Sequence, residues 1–546
     1  MKETNETFIN IDDFAGEDEE LFITIDNDDY NAKILSFCKS IFSYKMVEDK
    51  DGQRDLSKNY VSELVNLLKQ LPRPFTIVQE TYYVDATFRD SYYNYFSNQH
   101  FPIRRYSRRL SFFEGYLDFE KFFSTDAFDN EFMGSCVINP LLTGIIGRTL
   151  INPKFLIDFS QLHAYMRLST YKVHVYGKTF SVKAFPYRMQ DEETMRCTEV
   201  TMLNILDYYS NSYPNYRSVV PSEILESEQR HNHERVLPSK GMTYPVLTKV
   251  LSEFGFEPKL YNIESVDEFT LSKVSPEDEM RRWLHYYVES GIPVALNLLP
   301  SGNIGSGHSI VCIGHGKLND NLWGKAENNK WISWKNRASC HPIINSADLY
   351  DEYVIVDDNI PIYQCRNINE LSALYLDMKL QNIAVPLYKR MFLDAPDASS
   401  IIRSVLHDEK IGIDVWTDKF LEKNEDIVIR MFMASSHSLK NFRVSTLKNE
   451  YIKATYAIIP MPRFVWVCEL YRKSDYNNLE AFGEIVIDAT STASIGNDLK
   501  NIIMMHYPNV IGVRYPDQYE NQFDDMAYFD DDNVLFPGFN KNLSQI

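Results

Sequence analysis

Apolar residues recur every third position from Cys197 to Tyr209, and this regular spacing constrains the fold more than any other stretch. Val200, Leu203 and Leu206 carry the repeat. The spacing predicts a helix with Cys197 in its first turn, where unpaired backbone amides and the helix dipole favour the thiolate over the thiol. A structural cysteine fits the same stretch, because free cysteines are common in protein cores. The helix is therefore predicted, and the role of its cysteine depends on the rest of the chain.

Three short apolar segments farther along the chain are predicted to be strands. They span residues 293–299, 308–314 and 353–356. His308 opens the second strand directly after the glycine-rich loop SGNIGSG, which would expose its ring at the edge of a sheet. Asp357 and Asp358 follow the third strand. One of these carboxylates would lie beside the imidazole if the two strands are neighbours.

These side chains are the groups that a cysteine hydrolase requires. A free thiol, with a pKa of about 8.5, is mostly protonated at neutral pH, so it needs a base and a third group that orients the base. Cys197, His308 and one of Asp357 and Asp358 are candidates for these roles. The Gln190 side chain and a backbone amide at the helix start would donate to a tetrahedral oxyanion. Taken singly, each residue also has a structural explanation, as a strand-end histidine, a turn or a loop amide.

The region from about residue 185 to residue 363 resembles the papain-like cysteine peptidases, especially the bacterial branch that includes the double-glycine leader peptidases of bacteriocin exporters. The matching segments are FPYRMQDEETMRC, SGHSIVCIGHG and YVIVDDN. The resemblance implies that Gln190 is the oxyanion donor, Cys197 the nucleophile and His308 the base. It implies Asp358 as the residue that orients the histidine, with Asp357 as the alternative.

The expected fold class is α+β, with the resemblance covering the central domain and the patterning of the chain predicting the remaining divisions. A papain-like domain, with the nucleophile helix packed on an antiparallel sheet, is expected at residues 171–370. Mixed α and β domains are expected on either side, at residues 21–170 and 371–546, after a mobile acidic tail at residues 1–20. The implied activity is hydrolysis of a peptide or isopeptide bond in a protein or peptide substrate. Deamidation and amide transfer use the same residues.

Two departures from the family pattern motivate a second hypothesis. Gln190 and Cys197 are seven positions apart, where the family usually has six, and Thr198 stands where glycine or another small residue is common. The alternative is therefore a catalytically inactive papain-like fold that serves as a protein-binding module in a multiprotein assembly.

Composition and charge exclude several other classes of protein. The net charge of −20 repels phosphate backbones and anionic lipid, so neither nucleic acid nor a membrane is expected as a partner. We see neither a secretory signal nor a run of about 18 apolar residues. The seven cysteines are scattered and have no zinc-type spacing, which predicts reduced thiols in a cytoplasmic protein without metal or cofactor. No oligomeric state is predicted.

Two further segments carry predictions that the structure can address. The basic cluster Arg104, Arg105, Arg108 and Arg109 could pair with neighbouring acids or take an anion, and a structural or solvated role is favoured. The apolar residues of segment 419–433 predict a helix.

Overall fold

The structure is a computed structural model, and the residues it describes fall into sixteen stretches. The predicted acidic tail and most of the loop SGNIGSG lie outside them. The described stretches are residues 21–42, 57–100, 103–124, 129–141, 143–159, 163–268, 274–300, 307–331, 341–368, 378–408, 411–413, 420–422, 425–492, 498–515, 525–528 and 534–546.

The fold is a mixture of helices and antiparallel sheets, with 34% helix and 33% strand. The predicted mixed α and β class is confirmed at this level. The α-helices of the described stretches are α1 Tyr30–Phe42, α2 Ser57–Lys69, α3 Ala86–Asn94, α4 Phe119–Ser124, α5 Cys197–Ser212, α6 Pro221–His231, α7 Tyr244–Glu253, α8 Pro276–Glu289, α9 Trp323–Asn328, α10 Ala395–Leu406, α11 Ser436–Thr446 and α12 Glu450–Ile458.

The strands are shorter and more numerous than the helices. In chain order they are β1 Phe22–Ile25, β2 Phe75–Tyr83, β3 Ser107–Glu114, β4 Phe132–Ile138, β5 Ile146–Ile151, β6 Tyr165–Met166, β7 Ser169–Val175, β8 Lys178–Ala184, β9 Lys259–Asn262, β10 Val294–Pro300, β11 His308–His315, β12 Ile343–Asn345, β13 Glu352–Asp357, β14 Ile360–Asn367, β15 Met378–Val385, β16 Ile427–Ser435, β17 Phe464–Arg472, β18 Glu480–Ala481, β19 Gly483–Asp488, β20 Ile502–Tyr507, β21 Val510–Val513, β22 Asp525–Tyr528, β23 Phe536–Pro537 and β24 Ser544–Gln545.

The chain forms two compact units, each assembled from separate stretches. Unit 1 contains residues 1–162, 168–242 and 356–363, and unit 2 contains residues 163–167, 243–355 and 364–546. The predicted division into three domains stays a prediction. Among the described residues, no helix combines the length and the apolarity that a membrane crossing requires.

Unit 1 is built on a five-stranded antiparallel sheet with the order β1-β2-β3-β4-β5. Strands β7 and β8 form an antiparallel hairpin, and its second strand leads directly into the segment before α5. Every second residue of the hairpin is buried. Those side chains, Phe180 among them, join Phe113 and Phe132 of the sheet in one apolar cluster, so burial of one face of the hairpin holds it on the unit.

Unit 2 contains an eight-stranded sheet in which β11 lies between β10 and β13. Its main path is β14-β13-β11-β10-β15-β9, and the end of β13 and the start of β14 fall within the stretch 356–363 of unit 1. The N–H of Gly316, directly after β11, donates to the carbonyl of Glu352 at the start of β13 (2.9 Å). The end of one strand therefore lies beside the start of the other, and the two strands run antiparallel.

A seven-stranded sheet in unit 2 overturns one sequence prediction. Residues 427–433, predicted as part of a helix, form most of β16, which pairs with β12 in parallel and with β17 in antiparallel. Alternate residues of β16 enter two different apolar clusters, with Ile429 in one and Val428 in the other. A strand buried on both faces reads as a continuous apolar run, and periodicity cannot separate such a run from a helix.

Buried ion pairs cross the same sheet and centre on Glu469 of β17. Its carboxylate accepts from Arg430 (2.9 Å), Arg443 (2.5 Å), the hydroxyl of Tyr471 (2.5 Å) and the backbone N–H of Phe539 (2.6 Å). Arg430 also bonds Glu289, and Arg443 also bonds Glu484. Each buried charge has a partner, as burial in a low dielectric requires.

Replacing Glu469 with glutamine should therefore destabilise unit 2. Glu469→Gln keeps the shape of the side chain but leaves two buried guanidinium groups without their shared carboxylate, which should lower the free energy of unfolding by about 3 kcal/mol. Urea denaturation measures the change. The control is Glu480→Gln on the exposed side of β18, which should be neutral. Equal stability of the two variants would contradict this account of the network.

Candidate active site around Cys197

Cys197 is the first residue of α5, as predicted. The backbone of Arg196 is extended, and its N–H donates to the Glu199 carboxylate (3.3 Å), while its carbonyl accepts the first helical bond from Val200 (3.0 Å). These two bonds fix the residue at which the helix begins. The side chain of Cys197 is partly exposed, and that of Thr198 is buried.

A tight turn around Asp191 lies between Gln190 and Cys197. One oxygen of the buried Asp191 carboxylate accepts from the backbone N–H groups of Glu193 (3.0 Å), Thr194 (2.6 Å) and Met195 (2.9 Å). Burial raises the pKa of this carboxyl, and the bonds oppose that shift. The residue after Asp191 has a positive φ of 64°. The segment before α5 is thus a closed turn, and Glu192 lies on its exposed side.

The turn rests on a glycine whose role the sequence did not suggest. Gly144 has a φ of +62°, and a Cβ atom there would lie 2.3 Å from the carbonyl oxygen of Gln190. The hydroxyl of the neighbouring Thr143 donates to the carbonyl of Asp191 (2.8 Å). Only glycine lets the two backbones approach this closely, so the segment GIIGR supports the approach to Cys197.

The Gln190 side chain is held by the chain segment that carries the candidate acids. Its Nε2 donates to Oδ1 of Asn359 (3.0 Å), and the N–H of Asn359 donates to Oδ1 of Asp357 (3.0 Å). The hydroxyl of Tyr187 donates to the carbonyl of Asp358 (3.4 Å). Unit 1 therefore brings Gln190 together with Asp357 and Asp358, residues that lie far apart in the sequence.

Cys197 differs in exposure from most of the other described thiols. Cys365 is the other partly exposed one, and burial together with the nearby Glu352 raises its pKa to about 12. Cys340 lies outside the described residues. Burial raises the pKa of Cys38, Cys136 and Cys312 to about 12. It raises the pKa of Cys468 well above its usual range.

His308 is the first residue of β11 in unit 2, the position that the sequence predicts. Its side chain is buried, and its backbone lies opposite Leu298 of β10. The hydroxyl oxygens of the next residue, Ser309, and of Tyr244 are 2.9 Å apart. Cys197 belongs to unit 1 and His308 to unit 2, so the pairing of this thiol with this imidazole stays a prediction.

Asp357 is the last residue of β13, and Asp358 follows it in the turn toward β14. Both carboxyl groups are buried. Strand β11 begins with His308, strand β13 ends with Asp357, and the two strands are neighbours in the sheet. The prediction that one of these acids orients the histidine requires this arrangement. The choice between Asp357 and Asp358 stays open.

Two more buried acids of unit 1, Glu199 and Glu228, interact with each other, and Glu199 also supports the helix start. Glu199 is buried in the first turn of α5 and accepts from the hydroxyl of Ser239 (2.7 Å), and burial raises its pKa. Burial, and then repulsion by Glu199, raises the pKa of Glu228 to about 7. Asn232 donates to the Glu228 carboxylate (2.8 Å). One of the two acids therefore titrates near neutral pH.

Sequence reasoning missed Asp191, Asn359 and Glu199. The segment DEET carried a usable signal for the first of them, because an Asp side chain commonly bonds the backbone N–H groups that follow it. Asn359 had no such signal, since its partner lies 169 residues away. Comparison with known families and curated proteins adds nothing to these assignments, because neither a family model nor a curated protein matches the chain.

The raised pKa of Glu228 should make the stability of unit 1 depend on pH, and replacing Glu228 with glutamine should remove this dependence. Because the pKa of Glu228 is about 7 in the folded chain and about 4.5 when unfolded, the folded state retains a proton that the unfolded state has lost between these values. Raising the pH through this window therefore lowers stability. Glu228→Gln should stabilise the protein at about pH 8, relative to wild type, by about 1 kcal/mol after allowance for solvent screening, and have little effect at about pH 5.

Chemical denaturation at the two pH values measures this effect. The matched control is Glu226→Gln, an exposed position on the same helix, which should behave like wild type at both. If the free energies of unfolding of wild type and Glu228→Gln differ by the same amount at both pH values, the raised pKa of Glu228 is wrong.

Proposed function

We propose that the chain is a papain-like thiol hydrolase that cleaves a peptide or isopeptide bond in a protein or peptide. One observation carries the proposal. Cys197 begins a buried helix with its own side chain partly exposed, and the Gln190 side chain before it is anchored to the Asp357–Asn359 segment. A structural cysteine needs neither the exposure nor the anchored amide.

The reaction follows from the chemistry of these groups. The Cys197 thiolate attacks the carbonyl carbon of the substrate, and His308 passes the thiol proton to the leaving amine. The acyl group is then bound to sulfur as a thioester. Water activated by His308 hydrolyses the thioester and restores the thiol. Asp358 or Asp357 would orient the imidazole ring during both steps.

Gln190 and the helix start would stabilise the oxyanion. A glutamine amide has two N–H donors, and the bond to Asn359 occupies one, so the other can donate to the tetrahedral intermediate. The backbone N–H of Cys197 is one of the first-turn donors that a helix leaves without an internal partner. Two donors directed at the developing charge are the usual requirement of an acyl-transfer site.

The substrate and the setting belong to the same proposal. The scattered reduced thiols agree with a cytoplasmic enzyme, and a net charge of −20 favours substrates that are not strongly acidic. Deamidation would release ammonia through the same thioester, and amide transfer would replace water with an amine. Product analysis separates the three reactions.

Thiol reactivity is the first test. Iodoacetamide labelling at neutral pH, followed residue by residue by mass spectrometry, should modify Cys197 at least about tenfold faster than Cys365, the other partly exposed described thiol. His308→Ala should slow the labelling of Cys197, because the base that assists ionisation of the thiol is lost. Equal rates for the two cysteines would favour the inactive binding module.

Activity on a peptide library is the second test. Cys197→Ala should abolish cleavage, while Cys365→Ala should leave it unchanged. Gln190→Ala should lower kcat by about a hundredfold and change KM little, because the amide acts on the transition state. A chelator should have no effect. Cleavage that survives Cys197→Ala, or that a chelator abolishes, would overturn the thiol mechanism.

A further inference from the structure

A pocket in unit 1 lies at the end of the five-stranded sheet where β2 ends and β3 begins. Its volume is about 370 Å³, within the lower part of the range of roughly 300 to 1,000 Å³ that small-molecule sites occupy. We call it the arginine pocket. Its polar lining includes Tyr82, Arg104, Arg105, Tyr106, Arg108 and Asn139.

One arginine of the basic cluster is structural and stands apart from this pocket. The Nε of Arg109 donates to the Glu80 carboxylate (2.6 Å), and its guanidinium lies over the ring of Tyr83 (4.3 Å). The side chain is buried. Arg109 therefore follows the favoured sequence interpretation, in which a basic residue pairs with a neighbouring acid.

The arginines that line the pocket are in a different electrostatic setting. Arg104, Arg105 and Arg108 all contribute to the lining, and the described lining contains no carboxylate. In a chain with a net charge of −20, a cavity whose described lining holds three guanidinium groups and no acid is a local reversal of sign. Such a concave basic site attracts and concentrates anions.

A fourth guanidinium, that of Arg89, adds to this positive charge. It lies 5.1 Å from the ring of Tyr106 in the pocket wall and 5.8 Å from the ring of Tyr93. Its Nε and Nη2 are buried and have no hydrogen-bond acceptor among the described residues. Arg105 also lies over the Tyr106 ring (4.9 Å) and donates to its hydroxyl (3.0 Å). The guanidinium groups of Arg89 and Arg105 therefore both lie beside the Tyr106 ring in the pocket wall.

We propose that the arginine pocket binds a small phosphate-bearing ligand, either phosphate itself or a phosphate monoester. Guanidinium groups bind phosphate oxygens with two parallel N–H bonds, which suits a pocket lined by several arginines. The Tyr82 and Tyr106 rings, 5.8 Å apart and edge to face, supply aromatic surface for the organic part of an ester. An extended polyanion is disfavoured, because the rest of this acidic chain would repel it.

Isothermal titration at low ionic strength tests the proposal on the full chain. Inorganic phosphate and phenyl phosphate are the probes, and phenyl phosphate should bind more tightly because its ring can contact the two tyrosines. Arg105→Ala should weaken the binding of both probes about tenfold, and Arg105→Lys should restore only part of the affinity because the two-pronged donor is lost. Added salt should weaken binding.

The matched control is Arg217→Ala. Arg217 is an exposed arginine of unit 1 whose side chain pairs with Glu223 (2.7 Å), so its loss should leave phosphate binding unchanged. Thermal melts should show that both alanine variants are folded. Absence of binding by either probe, or equal affinities of Arg105→Ala and Arg217→Ala, would overturn the proposal. Tighter binding of duplex DNA or anionic vesicles than of phenyl phosphate would overturn it in favour of a macromolecular polyanion.

Discussion

The hydroxyl group of Tyr363 joins three separate stretches of unit 1 at one buried point. It lies 3.0 Å from the carbonyl of Ile151 and 2.8 Å from that of Phe185, and it accepts from the N–H of Phe185 (3.1 Å). Burial raises the pKa of Tyr363 well above its usual value, so the phenol remains neutral. Because buried polar groups must be bonded, this contact fixes stretch 356–363 beside the approach to α5. The position of Asn359, and through it the Gln190 side chain, depends on this fixed point.

The Asp191 turn organises the backbone between Gln190 and Cys197. A single buried carboxylate oxygen gathers three successive backbone N–H groups, which a loop buried at this depth would otherwise leave unsatisfied. Glu192, the residue after Asp191, has a left-handed backbone conformation and an exposed side chain. The turn therefore fixes the path of the backbone that leads from Gln190 to the start of α5.

The sequence predicted the helices and strands whose formation depends on residues close together in the chain. The start of α5 at Cys197 and the strand that begins at His308 both follow from apolar patterning and the neighbouring glycines, and the structure confirms them. The helix predicted over residues 419–433 was wrong at residues 427–433, because burial of both faces of β16 removes the apolar–polar alternation that identifies a strand. The Gln190–Asn359 bond and the Gly144 contact could not be predicted, since each depends on residues that the fold brings together from distant parts of the chain. The pairing of Cys197 with His308 remains an expectation from the sequence alone.

The discontinuity of unit 1 has a consequence for how the protein is made. Gln190 and Asn359 are separated by 169 residues, so a ribosome working at roughly 5 to 20 residues per second needs on the order of ten seconds or more to pass from one to the other. During that interval the α5 segment is synthesised but the stretch that anchors Gln190 is not. Closing so long a loop also slows folding. The candidate site around Cys197 therefore stays incomplete until the chain beyond Asn359 has emerged.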